Sequence, residues 1–311
     1  MMPNRISPSV IAHRGASGYL PEHTLAAKAL AHAQGADYLE QDVVATRDGR
    51  VIVCHDLYLE RVTDVAAVFP ARNRDDGHYY AIDFDWDEIR ELVVSCDAAA
   101  VAALVDAAAP AASGELLRIC TLDEEIEFIH GLNRAGSHVA GIYPEIKEPR
   151  WHAEQGCDLS RALLGVLTDY GYRRAEDPIF VQCVDADELR RLKTELRTDL
   201  RLTQLIGRGT DPAHLTREAL VAVADYAQAI GPNYRLVLTR DSDGRPIASP
   251  LVHSVRDAGL ELHPYTFNYA QLPEDVADLE ELLVLAYDVL QVDAVFCDFP
   301  DLAVGLRDVG A

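Results

Sequence analysis

Two histidines, an arginine and a pair of carboxylates spaced two apart share one stretch of this chain. His13 and Arg14 stand in IAHRGASGYLPEHT, Glu40 and Asp42 in YLEQD, and His55 in RVIVCHD. These types together make a phosphodiester-cleaving set: carboxylates hold a hard cation, an arginine grips phosphate oxygens, and imidazoles that titrate near neutrality move protons. Residues i and i+2 of a strand point the same way, ~6.6 Å apart, so Glu40 and Asp42 share a face. ExD alone is a common surface pattern, but Tyr38, Leu39, Val43 and Val44 make this strand apolar, and a buried carboxylate needs a partner. Glu145 in IYPEIKEP supplies a third oxygen ligand, and Lys147, two residues on, can take a phosphate oxygen. His13 follows Val10-Ile11-Ala12 and His55 follows Val51-Ile52-Val53-Cys54, so both are expected at strand ends. One imidazole then takes a proton from the attacking hydroxyl while the other gives one to the leaving oxygen; the residues leave open which does which. Gly15 and Gly18 are expected to let the backbone bend close to a ligand.

Short apolar runs alternate with helical spacing over most of the chain. The strands expected are 9–13, 37–43, 51–55, 139–145, 179–183, 200–206, 227–231, 260–267 and 293–298. The helices expected are 24–34, 122–132, 159–170, 186–196, 217–226, 250–258 and 279–290. Alternation of this length implies βαβ units and a parallel sheet, and eight such units close a TIM (β/α)8 barrel. Nine strands is one too many, and Asp48-Gly49 is a turn signal, so part of 43–55 is expected to be a hairpin. In the first helix Thr24 is the N-cap, Leu25, Ala26, Ala29, Leu30 and Ala33 follow helical spacing, and Gly35 ends it. Residues 57–118 break the rhythm: FPARNRDDGHYYAIDFDW is polar and aromatic, and an alanine-rich stretch ending at Pro110 reads as a helix. The expectation is one domain over 1–311, with 57–118 inserted after the strand that ends at His55, at the face of the barrel where sites are built.

Other polar residues carry weaker signals. His32, His78, His130 and His152 read as ordinary, the first and third on helices and the other two in polar loops. His23, beside the helix cap, is placed to shape the site. His263, Tyr265 and Phe267 alternate on one face and either fill the barrel or meet the alcohol part of a substrate. Asp298 and Asp301 read as caps or turn formers as readily as ligand contacts.

The chain has 311 residues, 28 basic against 51 acidic, for a formal net charge of −23. Such a surface repels nucleic acid and anionic lipid heads, so an anionic substrate must find its positive charge inside the site. No apolar run reaches the ~18 residues of a membrane span, and no nucleic-acid or membrane-inserted partner is expected; oligomeric state is not readable. The six cysteines form no CxxC, and Cys54, Cys183 and Cys297 lie in apolar runs as buried thiols. Together with an N-terminus that lacks a signal-peptide core, they point to a cytoplasmic address, or a periplasmic or secreted one if a signal has been trimmed. P-loop, dinucleotide, serine-hydrolase and HExxH motifs are all absent from the sequence.

The strings HRGASGYLPEHT, LEQDVVATRDGRVIVCHD, YPEIK, VQC-D, HPYT and DAVFCDFPD run in order from Ile11 to Asp301. They resemble the glycerophosphodiester phosphodiesterase family. PEHT, the RVTDVA string after His55 and DGHYYAIDF are similar to its bacterial periplasmic branch. The resemblance implies a TIM barrel with an insertion after the second histidine. It also implies metal-dependent hydrolysis of glycerophosphocholine, glycerophosphoethanolamine and their relatives to sn-glycerol 3-phosphate and an alcohol. It further implies His13 and His55 as acid and base, Glu40, Asp42 and Glu145 as ligands of one divalent cation (Ca²⁺, with Mg²⁺ the alternative), and Arg14 and Lys147 on the phosphate. Tyr265 stands where many members have tryptophan and is expected on the substrate. The rival readings are a non-catalytic glycerophosphodiester-binding barrel and a phospholipase-like diesterase acting on intact lipid.

Overall fold

The computed structural model describes residues 7–94 and 116–310; the alanine-rich helix expected before Pro110 lies outside them. The strands are β1 (Ser9–Ala12), β2 (Tyr38–Ala45), β3 (Val51–Val53), β4 (Gly141–Ile146), β5 (Phe180–Cys183), β6 (Arg201–Ile206), β7 (Ala229–Pro232), β8 (Leu238–Arg240), β9 (Pro246–Ala248), β10 (Glu261–Leu262) and β11 (Ala294–Cys297). Eight of them form one parallel sheet in the order β10-β7-β6-β5-β4-β2-β1-β11. The sheet closes because the chain leaving β10 runs along β11. Asp293 N–H donates to Leu262 O (3.0 Å), Phe296 N–H to Pro264 O (3.1 Å) and Phe267 N–H to Phe296 O (2.8 Å). The expected TIM barrel is thus present.

The ninth expected strand is β3. It pairs antiparallel with β2, Val43 opposite Val53 and Ala45 opposite Val51, through a turn in which Gly49 has φ +79°. β3 ends at Val53, so His55 lies in the loop beyond it rather than on the strand. The β8–β9 ribbon was not expected; its three-residue strands are half-exposed and too short to show an alternation.

Alternation sorts the barrel into two layers. Val10, Ala12, Leu39, Val43, Ile142, Val181, Leu202, Ile230, Leu262 and Val295 face the helices in the main apolar core. Ile11, Tyr143, Phe180, Ala229, Ala294 and Phe296 face the barrel axis in a second cluster. Of the trio His263, Tyr265 and Phe267, the first two turn inward: His263 sits edge-on to Phe180 and Tyr265 joins the inner cluster. Phe267 does not; it packs on Tyr234 in the outer layer.

Helices α1 (Leu25–Ala33), α2 (Val65–Val68), α3 (Trp86–Ile89), α4 (Leu122–Ala135), α5 (Pro149–Glu154), α6 (Leu159–Asp169), α7 (Ala186–Thr194), α8 (Arg217–Ala224), α9 (Pro250–Asp257), α10 (Leu279–Val284) and α11 (Pro300–Gly310) follow in chain order. Thr24 caps α1 as expected, accepting from Ala27 N–H at 3.2 Å. The buried face of α1, however, is Ala27, Lys28, Ala31 and His32, rotated from the stripe that apolar spacing marks. The expected helix over 279–290 widens to π-type turns at Leu285–Leu290. His152 is not a polar-loop residue: it is enclosed on α5, where its Nδ1–H donates to Glu148 O (3.0 Å) and its Nε2 accepts Ala45 N–H (3.2 Å). After β3, Leu59, Val65, Tyr79, Phe84, Ile89 and Leu92 build a separate small core against Val44 and Ile52.

Candidate active site

The inward positions at the C-terminal ends of the strands carry charge where the layers below carry rings. Parallel pairing sets Asp42 beside Glu145, and Glu145 beside Gln182. Ile11 pairs with Phe296, which brings His13 and Asp298, two residues further along each strand, to the same rim. Tyr143, Phe180 and Phe296 form the floor: the first two rings stack at 5.1 Å and the third meets Tyr143 edge-on. Above that floor lies a cavity of about 320 Å³ lined by His13, Arg14, Glu40, His55, Glu145, Lys147, Gln182, Asn233 and Tyr265, among others. The eight residues singled out from the sequence therefore converge, Asp42 lying just behind the cavity wall.

Each histidine is held by a carboxylate at one nitrogen. His13 Nδ1 meets Asp298 Oδ1 and His55 Nδ1 meets Asp56 Oδ1, both at 2.6 Å. Acceptors there fix Nδ1 as the protonated nitrogen and leave each Nε2 for the cavity. Burial, aided by Lys147 and Arg14, holds His55 below its ordinary imidazole value in spite of Asp42 and Asp56.

The carboxylates are knit to cations. Arg14, in a left-handed backbone conformation at φ +59°, donates its own N–H to Glu40 Oε2 (2.6 Å). Its guanidinium meets Glu22 at 2.9 Å and Asp42 at 3.3 Å, with Nε left without a directed hydrogen bond. Lys147 Nζ lies 2.9 Å from Glu145 and 3.5 Å from Asp42. Burial raises Glu40 well above the usual carboxyl range, and Asp42 adds to it. Glu145 is also raised, first by burial and then by Asp42, with Lys147 opposing. Burial acts the same way on Asp42, but Lys147, His23 and Arg14 outweigh it and keep it ionised. Two of three clustered carboxyls are thus pushed toward their protonated forms, which marks a site short of positive charge. A hard divalent cation supplies that charge and takes oxygen ligands, so the donor set fits one.

Sequence reasoning underread four neighbours. His23 Nε2 donates to Asp42 Oδ2 at 2.8 Å; His23, Glu40 and Asp42 present ligand atoms within 4.8 Å of one another. Gln182, in the VQC-D string, donates to Glu40 Oε1 at 3.3 Å while its own Oε1 is buried and unpartnered. Asp298 and Asp56 orient the histidines, and only Asp298 had been marked at all. The glycines are also needed for packing: a Cβ on Gly15 (φ +87°) would sit 2.8 Å from the Ala27 carbonyl carbon, so this glycine lets the loop lie close on α1. The five described cysteines are all free thiols, and no described helix is long and apolar enough to cross a membrane.

The model of the glycerophosphoryl diester phosphodiesterase family matches residues 13–302. A glycerophosphodiester phosphodiesterase of Haemophilus influenzae is 39% identical over 95% of this chain and 88% of its own. One from Treponema pallidum is 34% identical over 95% and 90%. Among solved structures, an Oleispira antarctica phosphodiesterase in complex with its product sn-glycerol-3-phosphate superposes with a TM-score of 0.68, at 23% identity over 97% of both chains. A glycerophosphodiester phosphodiesterase from Thermotoga maritima gives 0.62 at 21% identity, over 98% of this chain and all of that one. These two likenesses show a shared barrel, while the family match and the two curated relatives show descent: this chain belongs to the glycerophosphoryl diester phosphodiesterase family.

Proposed function

We propose that this chain is a metal-dependent hydrolase that cleaves glycerophosphodiesters to sn-glycerol 3-phosphate and an alcohol. The observation that carries the reading is that one cavity is lined by two histidines, two cationic side chains and two carboxylates, His13, His55, Arg14, Lys147, Glu40 and Glu145. The two curated relatives, which bear that activity in their names, support it.

In this reading Glu40, Asp42 and Glu145 hold the cation, which when bound draws charge from a phosphoryl oxygen. Arg14 and Lys147 neutralise the remaining phosphate charge as it builds in the transition state. His13 and His55, each oriented by its carboxylate, divide the proton transfers between the attacking hydroxyl and the leaving oxygen. The attacking group is water or the substrate's own glycerol 2-hydroxyl. Tyr265, whose hydroxyl is tied to Ile206 O at 3.1 Å, offers its ring to the organic part of the substrate. Ca²⁺ is the proposed ion, because a cluster of bulky, partly shared carboxylates suits its irregular coordination better than the strict octahedron of Mg²⁺. The chain is read as one domain with residues 57–118 inserted, and the PEHT and RVTDVA strings favour the periplasmic branch. The free buried thiols favour a reducing compartment; cell fractionation tests the address directly.

Release of glycerol 3-phosphate from glycerophosphocholine, with and without a chelator and beside a phospholipid substrate, tests the reaction. Chelator-sensitive release confined to the water-soluble diester is expected; release from lipid alone favours the phospholipase-like reading, and binding without release a lost activity. His13→Ala and His55→Ala should each lower turnover by about 10²–10⁴-fold while leaving metal affinity, read by calorimetry, intact. Near-normal turnover in both variants overturns the acid–base roles.

A further inference from the structure

Arg61 stands on a turn just after the loop that carries His55, within the RVTDVA string. The turn is fixed from below: Val62 and Thr63 donate their N–H groups to Leu59 O at 3.2 and 2.9 Å, and Leu59 and Thr63 are both buried. From this base the guanidinium reaches two carboxylates at once. Its Nε donates to Asp56 Oδ2 and its Nη2 to Glu22 Oε1. Each carboxylate has its other oxygen on a group of the cavity. Asp56 Oδ1 holds His55 Nδ1 at 2.6 Å, and Glu22 Oε2 holds Arg14 Nη1 at 2.9 Å. The result is one run of alternating donors and acceptors, His55–Asp56–Arg61–Glu22–Arg14, which ends on Asp42. Glu22 stays ionised in it: burial pushes its carboxyl up, but Arg14, His23 and Arg61 outweigh that and hold it near 2.

We propose that Arg61 is a positioning residue of this enzyme: through one planar fork it sets the direction of the His55 imidazole and of the Arg14 guanidinium together. The inference rests on the reading of His55 and Arg14 given above. A guanidinium is required because its donors lie in fixed directions in one plane; a lysine places one charge without fixing the angle between two partners. Arg61 is not among the residues that line the cavity, so its effect passes through the two groups it orients. Misplacement of a catalytic group on the scale of 1 Å is sufficient to cost about a hundredfold in rate.

The test uses the metal-loaded full chain with glycerophosphocholine. Arg61→Ala should lower kcat about ten- to hundredfold, beyond any rise in KM. Arg61→Lys should recover only part of the loss, and added ethylguanidinium should restore Arg61→Ala alone. The Nδ1 proton resonance of His55, assigned by its loss in His55→Ala, should shift in Arg61→Ala. Arg72→Ala disturbs the same segment, breaking an ion pair with Glu88, without touching Glu22 or Asp56; it should keep the parent kcat. An unchanged kcat in Arg61→Ala, a pure KM effect, or equal losses in Arg61→Ala and Arg72→Ala each overturn the proposal. If His55→Ala and Arg14→Ala also leave turnover intact, the failure belongs to the underlying reading and not to Arg61.

Discussion

His23 sits in an environment far from that of its free side chain. It is enclosed, its Nε2–H is spent on Asp42 at 2.8 Å, and its Nδ1 has no partner. Burial is the largest influence on it and, with Lys28 and Arg14 behind it, pulls the ring from 6.5 to about 3 against the attraction of Asp42. Folded His23 is therefore neutral over a range in which the unfolded ring carries a proton. Between pH 6.5 and about 3 the unfolded chain binds more protons, so this group makes stability rise with pH across that window and fall as acid is added. His23→Asn, which keeps a donor toward Asp42, should flatten that part of the curve. Urea midpoints measured from pH 7 down to 4 check it; parallel slopes for parent and variant would exclude His23 as the source. At this scale the sequence showed the types that do chemistry, because strand-end position and i, i+2 spacing are local. It did not show that Asp298 meets His13, which happens only because β11 closes on β1, nor the hydrogen bonds that tie Asp42 to His23 and Glu40 to Gln182.

Behind the acid-bearing strand, α1 and α4 meet across a fully buried ion pair. Lys28 Nζ lies 2.6 Å from Glu125 Oε1 and also donates to Glu40 O, while Gln41 Nε2 donates to the same Glu125 oxygen at 2.8 Å. Two helices are thus tied to the backbone of β2 at the residue that presents Glu40. Removing one partner strands a charge in an apolar interior, which costs about 3–5 kcal/mol, whereas replacing both by apolar side chains of similar size is often neutral. Glu125→Leu alone should therefore destabilise strongly, and Lys28→Met with Glu125→Leu should recover most of the loss in urea unfolding. Additive losses would mean that the pair's partners matter more than the pair. Apolar spacing misled on this face because α1 packs its alanines tightly and lets Lys28 run inward between them. Most strands were legible as short apolar runs, though the one expected over 260–267 is only Glu261–Leu262, and the β2–β3 hairpin was legible from Asp48-Gly49. The β8–β9 ribbon, α5 and the widened turns at Leu285–Leu290 were not, since each is short and set by tertiary packing.

The whole molecule carries a formal charge of −23, while the cavity presents Arg14 and Lys147 to an anion. Which field a substrate feels depends on distance. Within a Debye length of the surface, ~30 Å at 0.01 M salt, an approaching substrate feels the net charge; at 1 M that length falls to ~3 Å and only the cavity's own charges act. Glycerophosphocholine is a zwitterion with no net charge, whereas glycerophosphoglycerol carries one negative charge. The outer field therefore penalises approach of the second and leaves the first nearly untouched. With the metal concentration fixed, kcat/KM for glycerophosphoglycerol relative to glycerophosphocholine should rise roughly two- to tenfold as salt is raised through this range. The ratio at any single ionic strength mixes steering with head-group fit, whereas its change with salt follows the charge difference between the two substrates. A ratio that stays flat would mean that the cationic rim governs capture and that the acidic surface serves solubility alone. A ratio that falls would mean that the positive field of Arg14 and Lys147 extends beyond the cavity mouth, and the surface charge could not then be the first selector this molecule applies to its substrates.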